Sequence, residues 1–411
     1  MKFRDYQIDI INEGTGILKN YGLLYLAMEV RTGKTLTALG ICEEIGAQRV
    51  LFITKKKAIS SIEDDYAMFK PGFELKVINY ESVHKVELYF APDVIIADEA
   101  HSLGAFAPPS KRAKRLKADL RIWGSKLILM SGTPTPESFS QMYHQVYGHP
   151  NNPFRHYKNF YRWADDYVTK QIRYLGTHNA TDYSNAHQNK VIEAMEPYTI
   201  NYTQKEAGFK STIDEEVLRV EMSDLTYKLC RTLKKDKVIE GESETVLGDT
   251  GVKMMGKMHQ MYSGTVIFES GNSVVLDLSK AQYIKERFKD KKIGIFYKFK
   301  AELIALKEVF GDQLTTELDE FDNTDKNIAL QIVSGREGIS LRKADNIVYY
   351  NIDFSATSYW QSRDRMTTKD RLYNKIYWVF SKGGIEDRIY GAVNKKKDYT
   401  LQHFRNDLLT L

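Results

Sequence analysis

Short apolar runs alternate along this chain with longer stretches of mixed character. Residues 23–26, 49–54, 75–79, 93–97 and 126–130 are rich in Leu, Ile and Val, and the segments between them are compatible with helices. Runs this short, apolar at successive positions, predict strands covered on both faces, and their alternation with helices predicts a parallel sheet. The same rhythm returns at residues 292–296, 328–333, 346–350 and 375–380, which predicts a second α/β unit. Residues 2–19 read as a leading helix with Ile8, Ile11, Ile17 and Leu18 available for burial.

Two regions break the rhythm. Residues 136–197 lean helical and are dense in aromatics, among them Phe154, Tyr157, Phe160, Tyr161, Trp163 and Tyr167. These recur at spacings near three and four, so most should pack a core of the region's own. Residues 234–251 are charged and punctuated by glycine, which suits a connector with a mobile loop. The expected organisation is a first lobe over 1–205 with a helical extension over about 136–200, a connector or hinge over 206–265, and a second lobe over 266–411.

Composition agrees with two lobes, because 411 residues exceed the length at which one hydrophobic core keeps growing. The net charge of +5 permits an anionic partner without amounting to a polybasic tail. Cys42 and Cys230 sit in apolar contexts and are too few for a disulfide framework or a four-ligand zinc site. His144, His149 and His156 lack metal-ligand spacing. No run is long enough to span a membrane and the first residues lack a secretory apolar stretch. A cytoplasmic protein is expected.

The candidate chemistry lies where apolar runs end. Residues 27–35, Ala-Met-Glu-Val-Arg-Thr-Gly-Lys-Thr, join the first strand to a helix. Gly33 lets backbone N–H groups approach phosphate oxygens at the positive end of that helix. Lys34 is placed to reach the β- and γ-phosphates and Thr35 to hold Mg²⁺, although Met28 stands where the strict phosphate-loop pattern has a glycine. Asp98 and Glu99 close the run at 93–97, and desolvated carboxylates need a cation or a hydrogen-bond network. With nucleotide-bound Mg²⁺, Asp98 contacts the metal through water and Glu99 orients the attacking water.

Other polar groups fit the same picture. Ser131-Gly132-Thr133-Pro134 closes the run at 126–130 and suits a loop that senses a γ-phosphate. Gln7 carries an amide able to donate to and accept from an adenine edge. Lys55, Lys56 and Lys57 follow a strand at the edge where α/β sheets bind ligands, and either meet nucleic-acid phosphates or are simply solvated. Residues 111–117 carry five basic side chains, which read either as a solvated helix face or as a phosphate-tracking surface.

Taken in order, the phosphate loop, Asp98-Glu99-Ala100-His101 and Ser131-Gly132-Thr133-Pro134 resemble a superfamily II DEAH-box helicase or translocase. Within that superfamily the chain is most similar to the Swi/Snf-type ATPases, phage and bacterial members above all. That likeness is carried by Gln7, by Asn79-Tyr80-Glu81, and by residues 199–207 and 257–264. Later matches follow in family order at Ile295-Phe296-Tyr297, at residues 334–341 and at Gln361-Ser362-Arg363-Asp364-Arg365.

The resemblance implies an α/β fold of two RecA-like lobes, each a parallel sheet flanked by helices, binding one ATP with Mg²⁺ in the cleft between them. It implies an ATP hydrolase moving on nucleic acid, DNA rather than RNA, with no membrane and with room for a protein partner that directs it to its substrate. The implied nucleotide-binding set is Arg4, Gln7, Arg31, Thr32, Gly33, Lys34, Thr35 and Gly338, and the metal ligands are Thr35 and Asp98. Lys34, Asp98, Glu99, Gln361 and Arg365 form the implied catalytic set, with Arg365 as the arginine finger. The family's second arginine is Thr368 here, which leaves Arg363 and Arg371 as alternatives to Arg365. Family loops start with a small residue at the place of Ala27 and carry glycine at the place of Arg31. The rival readings are a nucleotide-gated clamp with little turnover and an unrelated phosphate-loop kinase.

Overall fold

Each expected apolar run in the first half of the chain is a strand of one sheet. In chain order the elements are α1 (Asp5–Tyr21), β1 (Leu23–Met28), α2 (Lys34–Glu44), β2 (Arg49–Thr54), α3 (Ile59–Phe69), β3 (Glu74–Asn79), β4 (Val94–Ala97), α4 (Lys111–Trp123) and β5 (Lys126–Met130). They continue as α5 (Met142–Val146), α6 (Phe160–Tyr167), β6 (Gln171–Tyr174), β7 (Asn179–Asp182), α7 (Gln188–Met195) and β8 (Thr199–Tyr202). The computed structural model describes residues 3–174, 179–208, 212–241, 243–332, 341, 343–355 and 373–395, and separates into units 1–209 and 210–411.

The first sheet is parallel, with strand order β3-β2-β4-β5-β1-β8. Successive side chains of a strand point to opposite faces, so each apolar run feeds two cores. Leu23 and Tyr25 join Leu51, Ile53, Ile95, Leu127 and Leu129 on one face. Leu24 and Leu26 join Val50, Phe52, Ile96 and Ile128 on the other, beneath Ile10 and Leu18 of α1, Leu39 of α2 and Ile62 of α3. Burial on both sides is why these strands read as continuous apolar runs rather than as alternating ones.

The second unit repeats the plan. Its elements are β9 (Thr212–Val220), α8 (Asp224–Asp236), β10 (Val238–Glu240), β11 (Thr245–Leu247), α9 (Gly251–Tyr262), β12 (Thr265–Ile267), β13 (Ser273–Val275) and α10 (Ser279–Arg287). Then come β14 (Ile293–Tyr297), α11 (Lys300–Phe310), β15 (Leu314–Thr315), α12 (Leu318–Asn323), β16 (Asn327–Gln331), β17 (Asn346–Tyr349), β18 (Tyr373–Ser381) and α13 (Glu386–Val393). The parallel order is β15-β16-β14-β17-β18-β9. Two parallel six-stranded sheets flanked by helices are the two α/β units that the pattern predicts.

Three features differ from the sequence reading. The extension expected to be helical also carries an antiparallel hairpin, β6 with β7. Its aromatic residues do form its core, with Phe154, Phe160 and Trp163 buried and Trp163 stacked on Tyr167 at 5.1 Å. The segment 199–202 returns as β8, an edge strand of the first sheet beside β1.

The third difference concerns the stretch expected to be a hinge. Residues 212–220 are the edge strand β9, paired along its whole length with β18, while Cys230, Leu233, Met254, Met258 and Val266 enter the second unit's core. Three consecutive acids, Asp214 to Glu216, conceal the strand character of β9; Glu215 accepts a hydrogen bond from Trp378 Nε1 at 2.9 Å and Glu216 pairs with Lys375 at 3.0 Å.

Several charged groups buried in this unit are paired. Lys280 Nζ of α10 lies 2.7 Å from Glu386 Oε1 of α13, both fully buried, and Ser381 Oγ donates to the same carboxylate at 3.0 Å. Asp277 accepts from Ser223 N at 2.7 Å, Thr226 Oγ1 at 2.8 Å and Ser279 N at 2.8 Å, tying the starts of α8 and α10 together. Gly264 turns with φ of 83° against this junction, where a Cβ would collide with the Asp277 carbonyl oxygen.

Burial alone would raise the Asp277 pKa, but its hydrogen bonds from Ser279 and Ser223 outweigh it and bring the value from 3.8 down to about 2. A carboxyl group with a depressed folded pKa stabilises above its unfolded value and loses that contribution as pH falls from about 4 toward 2. Asp277→Asn should therefore destabilise this unit by about 1–2 kcal/mol at pH 7, allowing for solvent screening. Urea unfolding of both proteins at pH 7 and pH 2.5 should show the gap close at the acidic pH; a gap of equal size at both would rule this linkage out.

Candidate active site

The strand order sets the site. β5 lies between β1 and β4, so the loops leaving the carboxyl ends of these three parallel strands emerge side by side. The first carries Glu29–Gly33, the second Ser131–Pro134 and the third Asp98–His101. Contact between the first two is direct, since a Cβ on Gly132 would lie 3.4 Å from the Val30 amide nitrogen.

The loop after β1 ends in α2, whose first residue is Lys34. Gly33 caps that helix at φ of 80°, and a Cβ there would collide with Gln7 Nε2 at 2.6 Å, so both conformation and space require glycine. Lys34 Nζ bends back and donates to the carbonyls of Met28 at 2.8 Å and Glu29 at 3.0 Å. Thr32, fully buried, donates from Oγ1 to Glu29 O at 2.7 Å. Thr35 occupies the first turn of α2, half-buried. Arg31 takes a left-handed φ of 63°, a conformation that glycine adopts at little cost and other residues do not.

The acidic pair follows the fully buried residues of β4. Asp98 Oδ2 accepts from the Thr54 hydroxyl at 2.8 Å, and Tyr80 donates its hydroxyl to the Asp98 carbonyl. Burial, then the neighbouring Glu99 carboxylate, push the Asp98 pKa from 3.8 up to about 6 against the opposing pull of the Thr54 hydroxyl and the Lys34 ammonium. Glu99 adopts φ of 49°, a second left-handed residue without the excuse of being glycine. His101 Nδ1 lies 3.3 Å from Glu99 Oε2 and 3.1 Å from Ser131 Oγ, which in turn accepts from Thr133 N at 3.1 Å. One imidazole thus links the carboxylate to the neighbouring loop.

Gln7 is buried and faces inward. Its Nε2 lies 3.3 Å from both Gly33 O and Thr37 Oγ1, and its Oε1 accepts from Arg4 N at 3.1 Å, so in this structure the amide braces the helix start. Arg4 is exposed and donates to the Tyr6 hydroxyl at 2.8 Å. Gly338, Gln361, Arg363, Arg365 and Arg371 lie outside the described residues.

The sequence motifs assign no role to several residues at the site, although Tyr80 and Gln204 lie within stretches that carry the resemblance. Tyr6 donates to Thr32 O at 3.0 Å and stacks on Tyr202 at 4.8 Å. Gln204 clasps the loop from the end of β8, its backbone N–H bonded to Glu29 Oε2 at 2.7 Å and its Nε2 to Val30 O at 3.0 Å. Thr54 and Tyr80 close the far side around Asp98. Thr54 ends an apolar run, the sole signal by which it could have been found, whereas Tyr80 lies in Asn79-Tyr80-Glu81, one of the stretches that carry the resemblance.

The donor set suits a polyanion with a divalent cation: a lysine and backbone N–H groups at a helix start, facing a desolvated carboxylate whose raised proton affinity marks a place for positive charge. No family model matches the chain, and no curated protein matches it. Among solved structures it is similar to the SWI2/SNF2 ATPase core of Sulfolobus solfataricus in complex with dsDNA, at 13% identity and a TM-score of 0.44 over 100% of this chain and 93% of that one. It is likewise similar to the Sulfolobus solfataricus SWI2/SNF2 ATPase core domain, at 16% identity and a TM-score of 0.43 over 96% and 89% of the two chains.

Gln204 braces the loop between β1 and α2, and removing its side chain takes that donor from the Val30 carbonyl. We expect Gln204→Ala to speed hydrogen–deuterium exchange of the Val30–Gly33 amides about fivefold, the equivalent of one hydrogen bond. Exchange at the wild-type rate would show that Gln204 does not brace the loop.

Proposed function

We propose that this chain is a nucleic-acid-stimulated ATP hydrolase of the Swi/Snf type, a motor that moves along DNA. The observation that supports this best is the meeting of the Lys34 loop with the Asp98–Glu99 pair at the ends of β1 and β4, the two strands that flank β5, Lys34 being close enough to act electrostatically on Asp98. In this reading Lys34 exchanges its two carbonyl partners for phosphate oxygens, and backbone N–H groups at the start of α2 complete the cradle. Thr35 and Asp98 would hold Mg²⁺, whose charge offsets that of the phosphates. Glu99 orients a water and accepts its proton, while His101 carries the state of that carboxylate to Ser131 and the adjoining loop. Lys55, Lys56 and Lys57, just past the carboxyl end of β2, meet the phosphodiester backbone.

Helix α1 and the rest of the described helices include none long and apolar enough to cross a membrane, and the proposed track is nucleic acid, DNA before RNA. The proposal is tested by steady-state ATPase assays with single-stranded, duplex and forked DNA and with RNA, followed by strand- and triplex-displacement on the best activator. Stimulation with triplex displacement is expected; ATP binding without stimulated turnover would leave a nucleotide-gated clamp.

Two substitutions separate the roles. Lys34→Ala should weaken nucleotide binding, whereas Glu99→Gln should keep binding within about twofold and lower kcat by at least about a hundredfold, the scale of a lost general base. A Glu99→Gln enzyme that turns over like wild type would remove Glu99 from catalysis. Arg365→Ala, from the sequence match alone, should lower kcat more than it raises KM; an unchanged kcat would move the finger to Arg363 or Arg371.

A further inference from the structure

Helix α4 carries a set of charges that its own surroundings do not balance. Its sequence, Lys-Arg-Ala-Lys-Arg-Leu-Lys-Ala-Asp-Leu-Arg-Ile-Trp, anchors the helix through buried Ala113, Leu116 and Leu120. Arg115 pairs with buried Asp119 at 2.9 Å, and Arg112 pairs with Glu81 while lying 5.0 Å over the Tyr80 ring. Lys111, Lys114, Lys117 and Arg121 are different: all four are exposed. At 100° per residue they fall within an arc of about 120° and extend over about 15 Å of helix.

This stripe is costly to the helix as it stands. Lys111 with Lys114, Lys114 with Lys117, and Lys117 with Arg121 are spaced three or four residues apart, where like charges repel. Lys111 and Arg112 occupy the first turn, which holds no acidic residue, and cations there oppose the helix dipole. The preceding loop, Gly104 to Pro109, contains no charged residue, so it supplies no counter-charge. Lys117 does rest 4.5 Å over the Tyr147 ring, a contact that fixes its direction while leaving its charge in place. A helix selected only to be soluble would intersperse acids on this face and place them in its first turn.

We propose that the Lys111–Lys114–Lys117–Arg121 face of α4 is a docking surface for the sugar-phosphate backbone of duplex DNA. It is additional to the lysines after β2. A polyanion lying along the stripe offsets both the mutual repulsion and the unfavourable dipole, and over 15 Å one DNA strand presents several phosphates. The start of α4 adjoins the candidate active site: its capping Ser110 donates to Leu103 O at 3.1 Å, just past His101, and Tyr80 beneath Arg112 donates to the Asp98 carbonyl. DNA held here therefore lies against the segment that follows the acidic pair. The inference rests on the DNA-motor reading and adds to it where the duplex is gripped.

The test uses the full chain and two double variants, Lys111→Glu with Lys114→Glu and Lys111→Gln with Lys114→Gln. Duplex binding is measured by fluorescence anisotropy across a salt series, alongside thermal melting and ATPase without DNA. We expect the glutamate variant to melt at or above the wild-type temperature, because it removes repulsion and puts acids in the first turn. Its duplex affinity should fall at least about tenfold, with the slope of log affinity against log salt shallower by about two, and its DNA-independent ATPase should be unchanged. The glutamine variant should show the same shallower slope with a smaller loss of affinity.

Wild-type affinity and slope in both variants would overturn the docking surface while leaving the motor reading in place. Melting lowered in both variants in step with affinity would overturn it too, by making the stripe structural. A wild-type chain that binds no DNA in any form would remove the motor reading and this surface with it.

Discussion

The site depends on one electrostatic constraint: two carboxylates follow directly after four fully buried strand residues, where ionised groups are poorly solvated. The protein meets the constraint only in part through its own groups. Thr54 satisfies one oxygen of Asp98, Lys34 acts from across the neighbouring strands, and Glu99 works against both. Parallel strand order makes this meeting obligatory, because β1, β5 and β4 cannot pair in register without placing their outgoing loops together. The helices on both faces serve the same end by fixing that register through two separate cores.

Strain is concentrated in the same place. Arg31 and Glu99 are both in the left-handed region without being glycine, a state that costs on the order of 1–3 kcal/mol and persists where neighbours impose it. Around Arg31 the imposing bonds run from Thr32 to Glu29, from Tyr6 to Thr32 and from Gln204 to Val30. Around Glu99 they run from the Asp98 N–H to Ile53 and from the Ser102 N–H to Glu99. The loop between β1 and α2 is thus shaped from outside as well as by its own glycine, which accounts for an arginine in a left-handed position.

The second unit reaches the same architecture with its polar groups turned to cohesion. Lys280 with Glu386 joins α10 to α13, and a chain from His259 through Asn351 to Glu302 joins α9, the end of β17 and α11 beneath the sheet edge. Buried pairs of this kind add little over apolar packing but are severe to break singly, so they hold one arrangement of elements against alternatives. In the first unit the comparable charges face outward at strand ends, where they are available to a ligand.

The sequence by itself determined the central strands and the chemistry at their ends. Residues 49–54 and 126–130 were legible as strands, as was most of β4, because central parallel strands are apolar on both faces, and Lys34, Asp98 and Glu99 were legible because they interrupt such runs. The edge strands were not: β9 carries three consecutive acids, and β8 is too short and polar to stand out. Nor could sequence show that Gln204 grips the loop at Glu29 and Val30, that Thr54 holds Asp98, or that Gln7 faces inward to Gly33. Those pairings join residues far apart in the chain, and they exist only once strand order has decided which ends are neighbours. Local pattern is written in side-chain periodicity, whereas adjacency belongs to the folded sheet.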